Sequence, residues 1–253
     1  MIVFRHPFVL LSVSLVTLWF SAWLGAARFM GLKSQVAELN EEFGVVRGAT
    51  LTLLALIIGF TLSMALSRFE QRRNDEAQEA NAIRTEYLRA ALLPEEDTAK
   101  TRALLRSYLD QRILFYTADD RQLSQISLET ASLQGGLWLV VQTSASAHPT
   151  AVTSLVVSGM NEVLNAQGLT QAAWRSQIPA AGWILMSMIA ICGAVLVGVG
   201  AKDPKSGSRL LAIMPVIVSI AFFFIADIDS PREGLIRVAP ANLLSLSESL
   251  HAQ

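Results

Sequence analysis

Cysteine, histidine and charge are all scarce in this sequence. Its 253 residues include one cysteine and three histidines, and only 16% are charged. The lone Cys192 excludes an intrachain disulfide and any metal cluster built on thiolates. His6, His148 and His251 lie far apart without ligand spacing, so no histidine metal site is expected. A net charge of −1 leaves no electrostatic footprint for nucleic acid. The glycine-rich, basic stretch "GVGAKDPKSGS" lacks phosphate-loop spacing. No catalytic constellation is legible, and neither an enzyme activity nor a cofactor is expected. Strand signals are almost absent.

What the chain has instead is long apolar runs. Hydrophobic residues make up 52% of it. They concentrate at Phe8 to Met30, Gly44 to Leu66, Pro179 to Gly200 and Arg209 to Ile228, each long enough at about 1.5 Å per residue to cross about 30 Å of hydrocarbon. The expected class is an all-α polytopic membrane protein. The first run follows Arg5 and His6 and ends near "WLGAAR", as a secretory signal does, but it is longer than a signal's apolar core and is read as a span. The expected organisation is two spans over 1–66, a helical cytoplasmic region over 67–178, two more spans over 179–228, and a cytoplasmic tail over 229–253.

The middle region reads as successive helices. Pro94 and two acids open "PEEDTAKTRALLRSYLDQRILFYTA", which places Leu104, Leu105, Tyr108, Leu109 and Phe115 on or near one face. A second helix is expected from Asp119 to Thr143 across Gly135 and Gly136. A third begins with Pro149 at its first position and stops at Gly168. Counting Lys and Arg near the spans, cytoplasmic termini put Arg5, Arg68, Arg72, Arg73, Arg84, Arg175, Arg232 and Arg237 inside. Arg28, Lys33, Arg47, Lys202, Lys205 and Arg209 fall outside. The "SRFEQRR" cluster votes for a cytoplasmic middle region, and the "AKDPKSGSR" loop votes against it. Both termini are expected in the cytoplasm.

"LIIGFTLSMALSRFEQRRNDE" begins as membrane sequence and ends as water-facing helix with no proline between. From Ala49 to Leu93 only Gly59 weakens the helix. Thr52, Leu56 and Phe60 recur every four residues and share a face, with Ser63 three further on. That face is either a pore wall or ordinary helix packing, with Gly59 admitting a close neighbour. Glu38, Glu41 and Glu42 either solvate the first loop or ring a channel mouth.

"IGFTLSMALSRFEQRRN" resembles the second-helix segment of bestrophins, and "DIDSPREGL" is similar to the acidic stretch after their last span. "RNDEAQEANAIRTEYLRA" and "DSPREGLIRV" resemble more closely the uncharacterised bacterial bestrophin-like membrane family. The resemblance implies an ion channel in the bacterial inner membrane, partnered by lipid, small ions and further copies of itself. A homopentamer is implied, with the second helices lining a hydrophobic neck at Thr52, Leu56 and Phe60. Threonine replaces the isoleucine expected at the outer ring and makes it wetter. Calcium-gated bestrophins carry a run of acids after the last span. Here Asp227, Asp229 and Glu233 form a shorter, interrupted set that either holds a cation with carbonyl help or simply ends the helix. The alternative function is a non-conducting scaffold or sensor whose helical region binds another protein.

Overall fold

The computed structural model describes residues 6–28, 40–201, 208–232 and 234–251. These are helical almost throughout, with no strand among them. The helices are α1 (Pro7–Arg28), α2 (Asn40–Arg89), α3 (Glu95–Thr117), α4 (Leu123–Ala147), α5 (Ala151–Arg175), α6 (Ala180–Val199), α7 (Ser208–Asp229) and α8 (Ala241–His251), with a 3-10 turn at Ala90–Leu92. The chain divides into two compact units, residues 1–69 with 177–237 and residues 70–176 with 238–253. The 50 residues of α2 run through the boundary without a break.

The first unit gathers α1, the first part of α2, α6 and α7 around Leu18, Ala22, Leu54, Ala65, Trp183, Met186, Ala190, Ala194, Phe222 and Ile225. Small residues set its closest approach. A Cβ at Gly198 of α6 would overlap the Ala22 carbonyl, and one at Gly25 would overlap the Val195 carbonyl. Ala190, Ala194 and Gly198 recur every four residues on α6, as Leu18, Ala22 and Ala26 do on α1. This spacing lets two apolar helices meet backbone to backbone and gain dispersion contact, which is what holds helices together in lipid. Trp183 and Phe222 add an edge-on ring contact between α6 and α7, with centroids 6.0 Å apart.

The second unit packs the rest of α2 with α3, α4, α5 and α8. Leu105, Tyr108, Leu109, Leu137, Val156, Met160, Val163 and Leu243 are buried there. So are charges, against the expectation of a water-facing helix: Arg72, Glu76, Glu79 and Glu86 of α2 are almost wholly enclosed. Three of them answer needs of neighbouring helices. Arg72 donates to the carbonyls of Ala173 at 3.3 Å and Ser176 at 3.0 Å, at the C-terminal end of α5, where orphan carbonyls collect partial negative charge. Glu76 accepts the backbone N–H groups of Asn242 (2.9 Å) and Leu243 (3.0 Å) and the Asn242 amide, so a carboxylate caps the N-terminus of α8. Glu79 pairs with Arg112 of α3 through both carboxylate oxygens and accepts the Thr170 hydroxyl of α5 at 3.1 Å. Arg112 also lies over the Phe115 ring.

α4 lies four residues later than expected at both ends, over Leu123–Ala147, and both ends of α5 differ from expectation. α5 starts at Ala151 rather than at Pro149, with Thr150 as its cap: the Thr150 hydroxyl accepts the Thr153 N–H while the Thr153 side chain accepts the Thr150 N–H, a reciprocal capping box. Gly168 does not stop α5, which continues to Arg175 and buries Thr170 and Trp174. A helical glycine costs only about 1 kcal/mol, and that packing outweighs it.

Candidate functional site

The apolar part of α2 has one packed face and one bare face. Leu54, Thr61 and Ala65 are buried, and Ile57, Ile58 and Phe69 lean against the core of the first unit. The Thr61 hydroxyl donates to the Ile57 carbonyl at 2.7 Å, so its polarity is satisfied inside the helix. Thr52, Leu56, Phe60 and Ser63 all lie on the other side and are exposed. Leu56 retains 53% of its surface and Phe60 64%. A Cβ at Gly59 would meet nothing among the described residues. Only 17% of the most apolar stretch of α2 is buried, against 33% for α1 and 44% for α7. Of these three helices, α2 is the one whose apolar surface the protomer covers least.

Where α7 ends, the acidic residues of the last segment are engaged with donors. Asp227 accepts the backbone N–H groups of Leu235 at 2.7 Å and Ile236 at 2.9 Å, one on each oxygen. Gly234 makes that loop possible, since a side chain there would collide with the Asp227 carbonyl and carboxylate. Asp229 accepts the N–H of Ile178, just before α6, at 2.9 Å, and pairs with Arg68 of α2 at 3.3 Å. Together these bonds tie the middle of α2, the end of α7 and the start of α6. A hard divalent cation takes about six to eight oxygen ligands with free lone pairs. Asp227 and Asp229 point at N–H groups and a guanidinium, as carboxylates that end a helix and fix the turn after it do. Among the described residues no group of three His, Cys, Asp or Glu could hold a metal. Glu233 lies outside the described residues, as does Glu38. Glu41 and Glu42 are exposed in the first turn of α2.

Sequence reasoning missed the buried charges of α2. Their signal was present: Arg72, Glu76, Glu79, Ile83, Glu86 and Ala90 fall at three- and four-residue spacing on one face, the repeat of a packed stripe. The α1 and α6 seam was likewise legible in the four-residue recurrence of alanine and glycine.

Four helices among the described residues are long and apolar enough to cross a membrane. Together with the second helical unit, they define a polytopic, all-helical membrane protein. The model of the bestrophin-like domain matches residues 12–243, so the chain belongs to that family. The fold is similar to that of a bacterial bestrophin homolog from Klebsiella pneumoniae. One single-residue variant of that protein superposes with a TM-score of 0.67 at 14% identity, over 96% of this chain and 98% of that one. Its zinc-phased structure gives 0.66 at 14% identity, over 95% and 97%. No curated protein matches in sequence.

Proposed function

We infer that this protein is an ion channel in which the bare face of α2, from several copies around one axis, lines a hydrophobic neck at Thr52, Leu56 and Phe60, with Ser63 below. The observation that carries the reading is the exposure of Leu56 and Phe60 directly opposite the packed residues Leu54, Thr61 and Ala65. Membership of the bestrophin-like family, whose members are generally ion channels, supports it. A ring needs several copies, and a homopentamer is the arrangement favoured. Apolar rings favour dewetting and so set the barrier to ions, while the Thr52 hydroxyl makes the outermost ring wetter. The protein sits in a bacterial inner membrane with the second unit and both termini in the cytoplasm, and it acts without a catalytic step. Exposed Leu128, Leu139, Val152, Leu155 and Leu169 in the second unit give the scaffold reading its one support, since a partner protein could cover them as well as neighbouring copies could.

The test is ion flux from liposomes carrying the purified protein, alongside its mass in native lipid. Phe60→Ser widens and wets the ring and raises flux. A purely monomeric protein, or an assembled Phe60→Ser variant with flux to anions and cations as negligible as before, sinks the neck. For orientation, in a Cys192→Ser background, a cysteine at position 107 stays unlabelled from outside intact cells while one at position 206 reacts. The opposite pattern inverts the topology.

A further inference from the structure

Glu86 is a buried acid that the reading above does not use. It lies on α2 about 30 Å of helix beyond the apolar run that ends at Leu66. Its side chain is fully enclosed, and neither carboxyl oxygen has a hydrogen-bond partner. The neighbour across the seam is Gly159 of α5, where a Cβ would overlap the Glu86 carboxyl and crowd the Arg89 guanidinium. That crowding leaves no room for a bridging water between Glu86 and the α5 backbone. The charged groups facing it are Arg89 on its own helix and Glu162 on α5. Those two pair with each other at 3.5 Å, both partly open to solvent. The arginines of α3 nearest this region, Arg102 and Arg106, are held over the Tyr87 ring at 4.9 and 5.5 Å.

We propose that Glu86 is a proton-binding site that keeps the α2–α5 seam closed when occupied and loosens it when vacated. A neutral carboxyl tolerates an enclosed site without donors, and an ionised one does not. On losing its proton, Glu86 must either draw Arg89 away from Glu162 or admit water past Gly159. Arg89 is placed for that exchange, since its side chain already lies against Gly159. The electrostatics agree: burial pushes the Glu86 carboxyl from its usual 4.5 up to about 8, with Arg89 opposing and Glu162 adding to the rise. The folded protein therefore holds the proton more tightly than the unfolded chain. The seam is most stable below the usual carboxyl value and loses stability as pH rises toward about 8.

The proposal goes beyond ion conduction and is tested without measuring flux. Infrared difference spectra of the intact protein in lipid should show a protonated carboxylic acid at neutral pH that is absent from Glu86→Gln. Melting temperature should fall between about pH 5 and about pH 9 in the natural protein, and fall markedly less in Glu86→Gln. Glu162→Gln should move the transition to lower pH and Arg89→Gln to higher pH. If Glu86→Gln does not fold, hydrogen exchange in the natural protein decides, because amides around 86 and 159 should lose protection, relative to intrinsic rates, as pH rises through about 8. Absence of the acid band, an unchanged melting profile in Glu86→Gln, or protection at those amides that ignores pH would each overturn the proposal.

Discussion

The two halves of α2 invert the usual rule of burial. Its apolar half, from Gly44 to Leu66, leaves Leu56 and Phe60 bare, whereas its charged half, from Glu70 to Arg89, encloses Arg72, Glu76, Glu79 and Glu86. In water both arrangements would be costly. An apolar face stays exposed without penalty where the surroundings are lipid or further copies of the chain, and the four spans supply that setting. Buried charges persist only where each meets a counter-charge, a helix terminus or a proton. Arg72, Glu76 and Glu79 have the first two between them, whereas the one cation facing Glu86, Arg89, is already paired with Glu162. One uninterrupted helix thus rests its specificity on packing in one half and on charge pairing in the other.

The largest effect should come from breaking the charge pairing. Arg112→Met leaves the Glu79 carboxylate buried with only the Thr170 hydroxyl, and removing one partner of a buried pair costs about 3–5 kcal/mol. Thermal unfolding followed by size exclusion should show the loss. Replacing both residues, Glu79→Leu with Arg112→Met, should recover much of it, since no charge is then stranded. A double variant as unstable as the single one would mean that the pair acts through shape rather than charge. A smaller effect is expected from packing in the other half. Gly198→Val drives a side chain into the Ala22 backbone, and overpacking of this kind costs about 1–3 kcal/mol. Gly59→Ala, where a Cβ meets nothing among the described residues, should leave protomer stability unchanged. The same melting measurement compares the two glycines.

How much of this the sequence disclosed depends on which solvent a residue meets. Runs of apolar residues longer than about 18 announce spans whatever they pack against, so α1, α2, α6 and α7 were legible within a few residues of their ends. The bare face of α2 was legible as a period, because Thr52, Leu56 and Phe60 recur every four residues. Periodicity alone does not tell a pore wall from a packing face. That Leu54 is buried while Leu56 is exposed needs the positions of the other helices. The charged half misled because charge predicts solvent unless a partner is known. The partners of Arg72, Glu76 and Glu79 lie between 33 and 167 residues away along the chain. The role of Asp229 was hidden for the same reason, since Ile178 lies 51 residues away, whereas Asp227 binds a loop only 8 and 9 residues on.

Next in size is the cap on α8. Glu76→Gln keeps one acceptor for the Asn242 and Leu243 N–H groups but removes the charge that favours a helix N-terminus, a loss of about 1 kcal/mol. Global melting should move little. Limited proteolysis should instead cut near residue 240 sooner, because α8 frays before the rest of its unit. Equal cleavage rates would show that burial of Leu243, Leu246 and Leu250 holds the helix without the cap.

The smallest expected effect is that of Leu56→Ala, read against Leu54 on the same helix. Leu54 retains 2% of its surface and Leu56 53%, yet they are two residues apart and chemically identical. Leu54→Ala opens a cavity in a packed core and should cost about 2–5 kcal/mol. Leu56→Ala trims a side chain that is more than half exposed on the protomer, so protomer stability should change by no more than about 0.5 kcal/mol. What Leu56 does in the assembly then shows by elimination. If it lines a neck, the assembled particle keeps its mass and melting point while liposome flux rises, by less than for Phe60→Ser because alanine adds width without polarity. If it packs between copies, flux stays at background and the oligomer dissociates at lower detergent concentration. If it faces lipid, neither changes. Leu54→Ala supplies the yardstick, since a preparation in which both variants melt equally early would mean that the two faces of α2 are not distinct at all.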